Sequence, residues 1–224
     1  MIKRLSRCFL SQRSRFHLRF DWLRLKARLK HQFNRKDYHP GITRLHFGCG
    51  QRIVPGWMNV DVAGSPFDLD LTIRLPFPDH TFEAIVGQQV VEHLDLLSEL
   101  IPFLRDLHRV SKPGGEIWLS TPDMEKVCQG YIDDKGLTLK IDRFDRNDTL
   151  ELHGSVPAQH IINVLFHQGG EHKNLYDLDL LTWALKEAGF SDCQRTSETD
   201  FLVRFPEFPT RGDNWVSLYV YATA

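Results

Sequence analysis

Leu45-His46-Phe47-Gly48-Cys49-Gly50, followed eleven residues later by Asp61 in Met58-Asn59-Val60-Asp61, reads as a buried strand, a glycine turn, a second strand and an acid at that strand's tip. In an open α/β sheet, ligands bind beyond the carboxyl ends of the strands, beside the topological switch point. Gly48 and Gly50 permit positive φ and a close backbone approach. A carboxylate at position 61 can accept hydrogen bonds from two ribose hydroxyls. The pattern points to a cofactor that contains a nucleoside.

A dinucleotide needs G-x-G-x-x-G opening a helix whose N-terminus holds the pyrophosphate. Here the third glycine position is Ile53, and Pro55-Gly56 follows at once, so little helix can form. No G-x-x-x-x-G-K-[ST] phosphate loop occurs. S-adenosylmethionine carries no phosphate, and a site for it needs the glycines and the acid but no anion-binding helix end. It fits the chain better than a nicotinamide dinucleotide does.

Five blocks extend this reading: Leu45 to Gly50; Gly56-Trp57-Met58-Asn59-Val60-Asp61; Leu75-Pro76-Phe77-Pro78-Asp79-His80-Thr81-Phe82-Glu83; Val91-Glu92-His93-Leu94; and Arg109-Val110-Ser111-Lys112-Pro113-Gly114-Gly115. In that order and spacing the chain resembles a class I S-adenosylmethionine-dependent methyltransferase of the compact type-11-like group, over residues 44 to 123 and more weakly over 170 to 224. The resemblance implies a Rossmann-like α/β fold in three layers, its parallel sheet closed by a C-terminal antiparallel hairpin. It also implies cofactor contacts from Phe47, Gly48, Cys49, Gly50, Asp61 and Val62. Asp70, with Leu71, would take the adenine amino group, although a one-residue register change would give that role to Asp68. Gln88 would lie under the methionine part. Two departures stand out. Residues 51 to 57 are too few for the usual first crossover helix, and Glu83 replaces the group's usual Asp.

The 224 residues suit one domain with a sizeable core, and 42% hydrophobic with 25% charged residues is ordinary for a globular protein. Cys8, Cys49, Cys128 and Cys193 are scattered, which suggests reduced thiols in a cytosol-like compartment and no zinc site. The net charge of −1 hides an asymmetry. Residues 1–40 hold twelve Lys/Arg against Asp21 and Asp37, leaving 16 basic and 27 acidic residues to the remainder. We therefore divide the chain into a basic arm, 1–40, and a methyltransferase domain, 41–224. In the arm, Trp22, Leu25, Leu29 and Phe33 fall at helical spacing among basic residues. Such a helix suits an anionic membrane surface, an organelle transit peptide, phosphate contact with nucleic acid, or simple packing on the domain; nucleic acid is the least favoured.

His39-Pro40-Gly41 separates arm from domain. Strands are expected near 43–47, 58–62, 67–71, 83–88 and 116–121, with helices near 94–110 and 177–188. Asp177 and Gly189 cap the second helix. A last strand, 215–223, pairs with one near 192–204. Residues 124 to 176 show no clear periodicity and read as a substrate lid.

Methyl transfer chiefly requires alignment of donor and acceptor, with a general base when the acceptor is a hydroxyl. His172 is the candidate base, oriented by Glu171. His93 either lines the methionine end or hydrogen-bonds a neighbouring loop. Glu92 either caps or catalyses. Asp123 either binds substrate or caps the next helix. The pair His167…His172 is separated by Gly169-Gly170, a poor frame for a metal, and no metal is assigned. The expected reaction is methyl transfer to a small-molecule or glycan hydroxyl. A lipid link is suggested by the arm, and cell-surface polysaccharide by the resemblance. The alternative is a cofactor-binding module without catalysis that the arm recruits to a membrane or partner.

Overall fold

The computed structural model describes residues 12–33, 41–139 and 156–224. The basic residues at 3, 4, 7, 35 and 36, the His39-Pro40 break and part of the expected lid lie outside these residues.

Seven strands form one sheet: β1 Arg44–Phe47, β2 Met58–Asp61, β3 Phe67–Asp68, β4 Phe82–Gln88, β5 Ser111–Pro122, β6 Ser191–Thr196 and β7 Ser217–Thr223, in the order β3-β2-β1-β4-β5-β7-β6. Pairing is parallel from β3 to β5, whereas β7 runs antiparallel to both β5 and β6. The order reverses between β1 and β4, so a cleft opens above their carboxyl ends. The helices are α1 Gln12–Phe33, α2 Ile101–Val110, α3 Met124–Asp134, α4 His160–His167, α5 Leu178–Glu187 and α6 Glu198–Arg204.

Strand alternation sorts the core into two faces. Leu45, Phe47 and Ile85 pack with Leu104 and Leu107 of α2 and Leu181 of α5, in one buried cluster. Ala84 and Val86 turn to the other face, against Trp57, Phe201, Phe205 and Phe208. That gives the three layers.

The first crossover contains no helix, and Asn59 does the helix's work. Its Nδ2 donates to the carbonyls of Val54 and Trp57, each at 2.8 Å, and its Oδ1 accepts from Val54 N at 3.0 Å and His46 Nδ1 at 3.0 Å. The Leu75–Asp79 block is tied down similarly: Arg109 donates to Phe77 O at 2.9 Å and Leu75 O at 3.0 Å, and pairs with Asp79 at 2.6 Å. These two blocks build the fold rather than the chemistry.

Several expectations change. β3 spans two residues rather than five, leaving Asp70 in the turn beyond it. The expected strand near 192–204 ends at Thr196, because Ser197 caps α6 by accepting from Asp200 N. The expected lid is helical at α3 and α4. Asp177 accepts from Leu180 N at 2.8 Å and Gly189 has φ 107°, so α5 is capped at both ends. No helix among the described residues is long and apolar enough to cross a membrane.

Candidate active site

Two cavities meet above the carboxyl edge of the sheet. The smaller, about 390 Å³, is lined by Gly48, Asp61, Val62, Asp70 and Leu71. Gly48 has φ 62°, and a Cβ there would come within 2.1 Å of Val90 Cγ2, so the turn can run this close only as glycine. Asp61 is fixed at both oxygens: Oδ2 accepts from Gly50 N at 2.8 Å and Oδ1 from Val62 N at 2.6 Å. These backbone donors hold the carboxylate at the cavity wall. Cys49 is buried, and burial first, then the charge of Asp61, pushes its thiol up to about 12. It therefore stays a thiol at neutral pH.

The helix α1 closes one side of this cavity. Phe20, Asp21 and Arg24 belong to its lining. Arg28 pairs with Asp70 at 2.6 Å, Arg24 pairs with Glu99 at 3.0 Å, and Lys30 pairs with Asp68. Asp70 also accepts from Thr72 N at 3.0 Å. Asp70 faces the cavity, whereas Asp68 belongs to a neighbouring groove with Leu23 and Lys26.

The larger cavity, about 690 Å³, lies between the 3₁₀ turn Val91–His93, the end of α4 and the loop before β7. Arg52, Glu92, His172, Arg211 and Asp213 line it. Gln89 and His93 line both cavities. Gln89 has φ 59°, which swings the chain off β4 at that point. Buried Glu198 holds the outer loop, accepting from Thr210 Oγ1 at 2.9 Å and Gly212 N at 2.7 Å as well as from Arg211 N. Asp213 then receives Arg211 Nε at 2.8 Å and Tyr219 Oη at 2.7 Å. Burial, with Arg211 close by, lowers the Arg52 guanidinium below its ordinary value.

Glu92 is fully buried. Thr121 Oγ1 donates to its Oε2 at 3.2 Å, while its Oε1 has no hydrogen-bond partner among the described residues. Burial raises its carboxyl above the usual range. His93 donates through Nδ1 to Glu171 O at 3.2 Å, and His172 through Nδ1 to Leu165 O at 2.6 Å. The two imidazoles meet edge-on, 5.0 Å between centroids.

Several sequence assignments move. Gln88 is buried at the end of β4 and lines neither cavity; its neighbour Gln89 does, because the backbone turns there. Phe47 is a core residue under Gly87, and Cys49 and Gly50 support the turn without lining the cavity. Glu171 does not orient His172 through Nδ1, since Leu165 does. The Gly169-Gly170 turn sends Glu171 to the smaller cavity and His172 to the larger. Asp123 caps α3, accepting from Glu125 N at 3.0 Å, and pairs with Arg195 at 2.9 Å; it lines neither cavity. Arg52, Gln89, Arg211 and Asp213 were not read from sequence. The only signal was the turn-forming, charged run Thr210-Arg211-Gly212-Asp213.

The smaller cavity presents an anchored carboxylate and a glycine turn with no anion-binding helix end, as a nucleoside without a pyrophosphate requires. A family model described as "Methyltransferase domain" matches residues 64–119. An uncharacterized methyltransferase of Schizosaccharomyces pombe is 37% identical over 62 residues, which are 28% of this chain and 21% of that protein; the chain thus matches about a fifth of its relative's length. Among solved structures, an S-adenosylmethionine-dependent methyltransferase from Mesorhizobium loti is 15% identical, with 87% of this chain and 97% of that one covered and a TM-score of 0.45. One from Archaeoglobus fulgidus is 14% identical, covering 90% and 94%, also at 0.45. Over residues 64–119, from the loop after β2 into β5, the chain is thus similar to a methyltransferase domain, and the sheet order and the glycine turn held over Asp61 are consistent with that similarity.

Proposed function

We propose that the chain transfers a methyl group from S-adenosylmethionine to a hydroxyl of a small-molecule or glycan acceptor. The observation that carries this reading is the shared wall: Gln89 and His93 line both cavities, so a donor in the smaller one and an acceptor in the larger one would meet there. The cofactor, when bound, supplies an activated methyl on a sulfonium. The protein's part is to align, to exclude water and to manage the acceptor's proton. Asp61 holds the ribose end. His172, whose Nδ1–H is committed to Leu165, carries its basic lone pair on Nε2 and stands on the acceptor side.

A lipid-linked acceptor is supported by α1. Leu18, Trp22, Leu25 and Leu29 form a stripe on its outer side, each about half exposed, with Arg19 and Lys26 among them. That arrangement suits insertion into an anionic interface. The non-catalytic reading is favoured by one contact, the Arg28–Asp70 pair, which occupies the carboxylate expected to meet adenine.

Calorimetric titration of S-adenosylmethionine and S-adenosylhomocysteine, followed by methyl-transfer assays over hydroxylated acceptors, tests the proposal. Binding that falls roughly 30-fold in Asp61→Ala, about 2 kcal/mol for a lost charged hydrogen bond, together with turnover, supports it. Binding without turnover on any acceptor class turns the reading to the module; no binding ends both. His172→Ala should slow turnover and leave cofactor affinity unchanged.

A further inference from the structure

We propose that Glu92, His93 and His172 bind one divalent cation on the wall of the larger cavity. One ligating atom from each of the three residues lies within 4.8 Å of the other two. Donors around a small divalent ion stand about 2.0–2.2 Å from it, so a modest closing of this cluster completes a three-coordinate face. Both imidazoles are prepared for the role. Each gives its Nδ1–H to a backbone carbonyl, Leu165 O at 2.6 Å and Glu171 O at 3.2 Å, which fixes ring and tautomer with the lone pair on Nε2. Metal-ligating histidines are characteristically held this way.

The independent observation is Glu92. Its side chain is fully buried, it lines the cavity, and Oε1 has no hydrogen-bond donor among the described residues. A buried carboxylate oxygen without a partner is costly, and a cation removes that cost. The cluster is also stitched together by the backbone: Glu92 O accepts from Lys173 N at 2.8 Å and Asn174 N at 3.3 Å, so the segment bearing His172 is fastened to the turn bearing Glu92 and His93. Sequence spacing could not show this, because two ligands lie some eighty residues from the third.

Two nitrogens and one carboxylate oxygen favour Mn²⁺, Co²⁺ or Zn²⁺ over Ca²⁺, which takes oxygen ligands. All three residues line the larger cavity, so the remaining coordination positions of a cation held there would open onto it. An acceptor hydroxyl bound there would become more acidic and lose its proton to solvent, so that with the cation present His172 Nε2 serves as a ligand in place of its role as base. Arg52 and Arg211 on the same cavity suit an acceptor with a neighbouring anionic group. The cation's role, though not its binding, rests on the acceptor-site reading above.

The test is Mn²⁺ binding to the metal-stripped full chain, followed by the electron paramagnetic resonance signal of free Mn²⁺, with Zn²⁺ binding by calorimetry. One saturable site is expected, at least tenfold weaker in Glu92→Gln and in His172→Ala and within twofold of wild type in His160→Ala. Circular dichroism checks that each variant is folded, and His93→Gln replaces any that is not. No saturable uptake of either ion by the wild type, or uptake unchanged in folded Glu92→Gln, overturns the proposal. S-adenosylhomocysteine is titrated in parallel. Cation binding without its binding upholds the site and sinks methyl transfer; its binding without cation binding overturns the site and leaves methyl transfer to the turnover assay.

Discussion

The two cavities are built in opposite ways. The floor of the smaller one comes from a single run of chain: Gly48, Asp61 and Val62 lie within fifteen residues, and the backbone N–H groups of Gly50 and Val62 hold the Asp61 carboxylate, while α1, the 89–94 segment and Glu171 complete the walls. The larger one is assembled from Arg52, the 89–93 segment, His172 and the 210–217 loop, and depends on side chains such as Glu198 to bring them together. Local hydrogen bonding makes the Gly48–Val62 floor of the first insensitive to distant change. The second collapses wherever one of its contributors moves.

The largest separation of the two should come from Gly48→Ala. It adds a left-handed φ, about 1–2 kcal/mol, to a collision with Val90 worth roughly 1–3 kcal/mol. Gly50→Ala, with φ 52° and nothing near its added Cβ, carries only the first cost. Urea unfolding should therefore rank the two variants, and cofactor binding should fail in Gly48→Ala alone. Equal losses would show that Val90 yields freely.

Acid should act next, on the face of the sheet that Phe208 covers. His46 is buried against Phe208, ring centroids 4.9 Å apart, and burial lowers its pKa to about 4. The unfolded chain takes up that proton near the ordinary 6.5, so this contribution is intact above pH 6.5 and is lost as pH falls through 4. The loss is on the order of 3 kcal/mol. Unfolding titrations at pH 7, 5 and 4 should show a shallower decline in His46→Gln; an identical decline would remove His46 as the cause.

Arg52→Ala should have the smallest effect. Acceptor KM should rise about fivefold, near 1 kcal/mol for one polar contact, with S-adenosylhomocysteine affinity within twofold of wild type. A matching loss of cofactor affinity would erase the division between the cavities.

What could be read from the sequence follows the same division. The sheet's strands, the absent crossover helix and the Asp177–Gly189 caps all express short-range rules, and each appears near its expected place. Expected and observed positions diverge where one residue decides a direction. Gln89 rather than Gln88 reaches the cavity wall because the chain adopts positive φ there, and Glu171 and His172 part because two glycines precede them. Asp123 is spent as a cap and ion-pair partner. The partners of Glu92 and Arg211 depend on long-range packing that no local pattern encodes.

The Arg28–Asp70 pair makes the arm a competitor for its own domain's ligand. A group that needs Asp70 must first displace a guanidinium held at 2.6 Å, so its apparent dissociation constant equals the intrinsic one divided by the fraction of molecules whose arm has let go. Salt weakens partly exposed ion pairs. Raising ionic strength should therefore tighten cofactor binding until the pair is screened, and Arg28→Ala should weaken that dependence, leaving only the longer Arg24–Asp70 pair at 3.7 Å.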